Sequence, residues 1–204
     1  MLYLYGASGH AKVIIEMLEY MGESNIILID SDLEKKQLLE YKIIHQVPEL
    51  DTSIDRVIIS IGNNKIRKSI STSLATAVYP TIIDSNANIS PRATIDRGTV
   101  VMKGASINAD AQIGTHCIIN TNASIDHDCQ IDNFVHISPN VALAGNVTIG
   151  EGTHIGIGAA IIQGITVGKW VTIGAGAVII KDIPDYAVVV GNPGKIIKYN
   201  KENL

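Results

Sequence analysis

The sequence predicts a parallel β-helix carried behind a small α/β unit, and three observations lead there. Every sixth residue from Ile89 to Ile179 is Ile, Val or Leu. The residue two places before each of these is nearly always small or β-branched, as at Ala87, Ala93, Ala123, Val141 and Ala177. Residues 2–75 instead alternate short apolar runs with glycine turns and helix-spaced segments. A six-residue period belongs to neither a helix nor an ordinary sheet; it is the period of a β-solenoid.

Composition narrows the function. The chain has 204 residues, with 16 Lys and Arg against 20 Asp and Glu for a net charge of −4, so a nucleic-acid partner is not expected. Met1–Tyr5 is too short for a signal peptide, and no apolar stretch reaches the length of a membrane span. The expectation is a cytoplasmic protein with no membrane partner. Cys117 and Cys129 make no disulfide framework; both sit at the small inward position of the repeat, as core residues.

The front elements follow in order. Residues 2–5 form a short buried strand, and Gly6-Ala7-Ser8-Gly9-His10 a tight turn. Ala11–Met21 has helical spacing through Val13, Ile14, Met17 and Leu18, and Gly22 ends it. Residues 25–29 form a second strand ending at Asp30, and residues 56–61 another. Gly62-Asn63-Asn64 then opens a helix to about Ala75. Alternating strands and helices imply a parallel, Rossmann-like sheet. A glycine turn between strand and helix offers free backbone N–H groups to a phosphate, and Asp30 is placed for a ribose or sugar hydroxyl. The dinucleotide fingerprint is incomplete, because Ser8 and Ala11 occupy its second and third glycine positions. A smaller nucleotide-linked ligand is therefore favoured over NAD. Residues 76–88 read as a connector with one more short strand and a bend at Pro80, giving domains of 1–80 and 81–204.

In the repeat region, the periodic residue (position i) and its neighbour at i−2 point inward, since strand side chains alternate faces. Position i+1 is rich in Gly, Asn and Asp, including Asp96, Asn108, Gly114, Asn120 and Asp126. These residues tolerate the left-handed backbone region, so each repeat reads as a three-residue strand and a three-residue corner. Three repeats close a triangular coil, coils stack at about 4.8 Å, and about five coils result. His127 falls on a corner with Asp128 beside it. His136 and His154 face outward on one flat side, one coil apart, and Asn120 sits at the corner before the strand leading to His127. Outward groups of this kind are either solvated or face a neighbouring subunit. His45 and His116 read as surface residues.

Three motifs occur together: Tyr5-Gly6-Ala7-Ser8-Gly9-His10, Ile61-Gly62-Asn63-Asn64-Lys65-Ile66-Arg67, and Asp126-His127-Asp128-Cys129 inside the repeat. With them the whole chain resembles bacterial hexapeptide-repeat sugar acetyltransferases of the sialic acid O-acetyltransferase type, most closely the UDP-4-amino-sugar N-acetyltransferases of bacillosamine and perosamine pathways. The resemblance implies a left-handed prism and a homotrimer. It places a nucleotide-sugar in the front domain and acetyl-CoA between neighbouring prisms, with no metal. It assigns His127 as general base, with Asp128 standing where relatives carry a carboxylate, often Glu, that raises the basicity of the histidine. His136, Ile157 and Ala175 match acetyl-CoA contacts. Ser8, Gly9, His10, Asp30, Ser31 and Gly62 match nucleotide-sugar positions, although Ser31 replaces the second of two adjacent acidic residues.

The implied chemistry is direct acetyl transfer with histidine as base. Corner backbone N–H groups, or the Asn120 side chain, are candidates to hold the oxyanion. Alternatives are O-acetylation of sialic acid or a related sugar hydroxyl, a zinc lyase of the γ-carbonic-anhydrase kind with three converging histidines, and a non-catalytic scaffold or sugar-sensing module.

Overall fold

A computed structural model describes residues 1–200. They divide into a compact unit Met1–Pro80 and a second that begins at Thr81.

The first unit is built on strands β1 (Leu2–Tyr5), β2 (Ile26–Ile29), β3 (Gln37–Leu38), β4 (Tyr41–Ile44) and β5 (Arg56–Ile59), with helices α1 (Gly9–Tyr20) and α2 (Asn64–Ser73). The sheet order is β3-β4-β2-β1-β5. All pairings are parallel except β3 with β4. Strand β1 lies between β2 and β5, so the loops after β1 and β5 flank the point where the chain changes direction across the sheet, where doubly wound folds bind ligands. Helix α1 buries Ala11, Ile14, Ile15, Met17 and Leu18, while Val13 faces solvent. Helix α2 is capped by Asn63, whose side chain accepts from the Ile66 N–H at 3.1 Å. The β3–β4 hairpin adds strands that the sequence pattern did not announce. Strand β4 lies parallel to β2, pairing Leu28 with Ile43.

The second unit is a triangular prism. Its flat faces are parallel sheets whose registers advance by eighteen residues, for example Ile107 on Ile125 on Leu143. The first face carries Ile89, Ile107, Ile125, Leu143, Ile161 and Ile179. The second runs from Ile95 to Val167, and the third from Ile83 to Val189 with an antiparallel closing strand, Lys195–Tyr199. The solenoid therefore begins one repeat earlier than the run from Ile89 suggests, at Ile83. From Ile82–Ile83 to Val178–Ile179 the strands are two residues long rather than three. From Val101 to Ile179 the periodic residues are 0–3% exposed and form one core with the small residues at i−2. Cys117 and Cys129 belong to that core. Thr99 and Thr153 fit there because each hydroxyl is satisfied. Thr99 Oγ1 donates to Gly114 O at 2.7 Å and accepts from Cys117 N at 2.9 Å; Thr153 does the same with Gly168 O and Val171 N.

The corners differ from the sequence expectation. Left-handed backbone falls at i+3, not i+1: Asp110, His116, Asn122, Asp128, Phe134, Asn140, Asn146 and Trp170 all have φ between 54° and 61°. Position i+1 selects the same residue types for other reasons. Asp126 and Asp132 each accept the next residue's N–H at 2.8 Å. Gly150 and Gly156 leave no room for a Cβ against the backbone of the next coil, at 2.7 and 2.6 Å. His116 is also not a surface residue: it is buried and stacks on Phe134 one coil along, with ring centroids 5.3 Å apart.

Candidate active site

In the first unit the candidate ligand-binding residues gather at the carboxyl ends of β1, β2 and β5. Gly6 has φ +110°, and a Cβ there would stand 2.6 Å from Ile61 Cγ1, so glycine is required sterically and conformationally. The Ser60 hydroxyl donates to Gly6 O at 2.6 Å and pins the turn to β5. Ser8 and Gly9 are exposed at the start of α1, and Ser8 makes no side-chain cap. Asp30 accepts from Ala7 N at 2.9 Å and Asp32 N at 3.0 Å, and pairs with Lys35 Nζ at 2.8 Å. Burial opposes its ionisation, but the Lys35 ammonium and the two N–H groups outweigh burial and hold its carboxyl below the usual range. Asp30 is thus also the latch that fixes the glycine turn. Its backbone carbonyl meets His45 Nδ1 at 3.0 Å, so His45 is a structural partner. Ser31 is exposed.

Around β5, Gly62 lies in a loop organised by Arg67. This arginine is 1% exposed, and its guanidinium donates to Ile61 O, Gly62 O and Asn64 Oδ1. Burial, reinforced by the Arg67 charge, pushes the His10 imidazole down to about 4. His10 is therefore a neutral hydrogen-bonding group at physiological pH. Arg67 closes the Ile61–Arg67 motif in sequence, and its ordering role emerges only from the fold.

On the prism, His127 Nδ1 lies 2.7 Å from Asp128 Oδ2. Both side chains are more than half exposed. The Asp128 hydrogen bond, with the Asp126 charge in support, raises the His127 pKa above the ordinary histidine value. Asp126 is held in turn by Asn108 Nδ2 at 2.9 Å and by His127 N–H. With Nδ1 engaged by a carboxylate, the tautomer is set and Nε2 is the free basic nitrogen, as in hydrolytic triads.

A second polar cluster lies on the third face and the corner after it. Asn120 Nδ2 is 3.2 Å from His136 Nε2. His136 stacks on His154 with centroids 4.7 Å apart, and His154 Nε2 meets Ser138 Oγ at 2.8 Å. Ile157 and Ala175 are exposed on the same corner, farther along the prism. One prism therefore brings Asn120 to His136, and Asp128 to His127, but it keeps the two clusters on different corners of the triangle. Among the described residues, no three His, Cys, Asp or Glu side chains gather to hold a metal ion, and no helix is long and apolar enough to cross a membrane.

Residues 1–74 match the family described as the PglD N-terminal domain, and residues 146–181 match the bacterial transferase hexapeptide repeats. No curated protein matches the chain. Among solved structures, it is similar to the acetyltransferase domain of PglB from Neisseria gonorrhoeae FA1090. The identity is 39%, covering 96% of this chain and 98% of that one, with a TM-score of 0.92; the same domain has been solved with acetyl coenzyme A. It is also similar to a mutant perosamine N-acetyltransferase from Caulobacter crescentus in complex with CoA and GDP-perosamine. Here the identity is 34%, with 97% and 96% covered and a TM-score of 0.92. WeeI from Acinetobacter baumannii AYE aligns at 25% identity over 97% and 99%, with a TM-score of 0.88.

Proposed function

The chain belongs to the sugar acetyltransferases that join a PglD-type N-terminal domain to a left-handed hexapeptide β-helix, and from that premise we propose that this acetyltransferase acetylates the amine of a nucleotide-linked amino sugar, using acetyl-CoA and His127 as general base. The observation that supports this most directly is the His127–Asp128 contact on an exposed corner, which engages Nδ1 and leaves Nε2 as the basic nitrogen.

In this reading the amine nitrogen attacks the thioester carbonyl and gives up a proton to His127 Nε2. Asp128 stabilises the imidazolium. The C–S bond then breaks, and the imidazolium returns the proton to the departing thiolate. Ser8, Gly9, His10, Asp30, Ser31 and Gly62 form the nucleotide-sugar pocket of the first unit, residues 1–80, and the prism from residue 81 carries the chemistry. His136, Ile157 and Ala175 contact acetyl-CoA, and Asn120 orients His136 or meets the developing oxyanion.

The two polar clusters occupy different corners of one prism, and this separation supports a site shared between protomers of a homotrimer. The cytoplasm, where nucleotide sugars and acetyl-CoA are found together, is the compartment this reading requires. The test is an acetyl-CoA consumption assay with UDP- and GDP-linked amino sugars, alongside CMP-linked and free sialic acid. One amino sugar should turn over, and H127N should lower kcat by about 10²–10⁴-fold. Full activity in H127N would remove His127 from the chemistry, and turnover of the sialic acid arm alone would replace N- by O-acetylation.

A further inference from the structure

One coil beyond His127, at the same position of the same corner, lies Gly145. An ideal Cβ built on it would stand 2.5 Å from His127 Cε1, 2.6 Å from Nε2 and 3.1 Å from Nδ1. The imidazole therefore rests on the bare Cα of this glycine.

The backbone does not ask for glycine there. Gly145 is absent from the positive-φ residues, and the equivalent corner positions of other coils carry Pro91, Ala109, Gln163 and Lys181. The contrast with other ring-bearing corners is informative. Gly98 faces His116 and Gly152 faces Trp170 at contact distances too short for any Cβ, but both also have positive φ, +73° and +68°. At those two, the left-handed backbone is a second reason that favours glycine, beside the space for the ring. At Gly145, space for the ring is the demand that remains. That ring is mostly exposed, so the space is not a matter of filling a core.

We propose that Gly145 is a positioning residue for acetyl transfer, and that its missing side chain lets the His127 ring lie flat on the corner, where Asp128 reaches Nδ1. The inference rests on His127 being the base. Asp128 restrains one edge of the ring and Gly145 provides the floor beneath the other, so both side-chain torsions of an otherwise exposed histidine are fixed. A methyl group at 145 must push the Cε1–Nε2 edge away until the carbon contact reaches about 3.5–4.0 Å, a displacement of roughly 1 Å. A base displaced by about that much loses on the order of 10²-fold in rate.

The test is G145A, which keeps the backbone N–H and is compatible with the local φ. In the intact protein its kcat should fall by roughly 10- to 100-fold. The His127 imidazole, followed by NMR, should titrate closer to the free-histidine value and lose its single-tautomer pattern, with Asp126 and Asp128 both still present as charged neighbours. The H127A/G145A double variant should be no slower than H127A, and its melting temperature should match that of H127A because the colliding ring is gone. An unchanged His127 titration in G145A, or a further loss when G145A is added to H127A, would overturn the assignment. The base reading fails separately, through an active H127A, while the NMR titration still reports the ring–glycine contact.

Discussion

His10 makes the acid stability of the first unit a quantitative prediction. The native imidazole holds out against protonation to about pH 4, whereas an unfolded histidine takes a proton near 6.5. Between those values the unfolded chain binds more protons than the native one, so stability is complete above about pH 6.5 and is lost as pH falls toward 4. At about 1.36 kcal/mol per unit, the full loss is roughly 3 kcal/mol, of which roughly 2.5 kcal/mol is gone by pH 4.5. H10N has no such proton to bind. Its stability should therefore fall less between pH 7 and 4.5 than that of the parent, by about that amount, while the acidic residues common to both proteins cancel. Because the chain has two units, a global unfolding curve mixes them. Native-state hydrogen exchange of the β1 and α1 amides reads the first unit alone. Equal acid sensitivity of the two proteins would refute the reasoning. So would a nucleotide-sugar affinity that rises between pH 7.5 and 6, because that requires His10 to become cationic in the range where Arg67 and burial keep it neutral.

Other outcomes follow from the same geometry. In D128N, His127 loses the partner that chiefly raises its pKa. A base acts only when unprotonated, so the acidic limb of kcat/KM should move to lower pH while the high-pH plateau falls, by about tenfold or less for so exposed a pair. A pH profile superimposable on the parent's would show that the contact is idle. G6A forces a side chain into φ +110° and into contact with Ile61, which should cost about 1–3 kcal/mol. Exchange protection of β1 and β5 should drop accordingly, and parental protection in that variant would contradict the steric argument.

Much of the prism was legible because a solenoid coil is specified locally. Each residue's face follows from its place in a six-residue count, and Cys117, Cys129 and the run from Val101 to Ile179 lie inside as that count requires. The β3–β4 hairpin was not legible, since its apolar run is short and its strands are mostly exposed or half-buried. The exposure expected for His116 failed because its ring folds along the prism onto Phe134 instead of pointing away. The candidate ligand residues of the first unit lie in sequence motifs, but the latch at Asp30 and the ordering of Gly62 by Arg67 depend on side chains that meet only after the sheet forms.

The His127–Asp128 contact shows most clearly what a linear reading lacks. Neighbouring residues in a strand point to opposite faces, and aspartate is a short side chain. On that logic the pair has little reason to meet. The left-handed backbone at Asp128, φ 60°, reverses it: the chain turns within a single residue and swings the carboxylate back beside its neighbour's ring. The short side chain suffices because the backbone supplies the turn. The same conformation recurs at i+3 around the prism, where Asn, Asp or Gly usually occupies it at little cost. The corner geometry that closes each coil is thus also the geometry that pairs a carboxylate with an imidazole: the preceding corner has the same left-handed aspartate, Asp110, but Ala109 stands where His127 does.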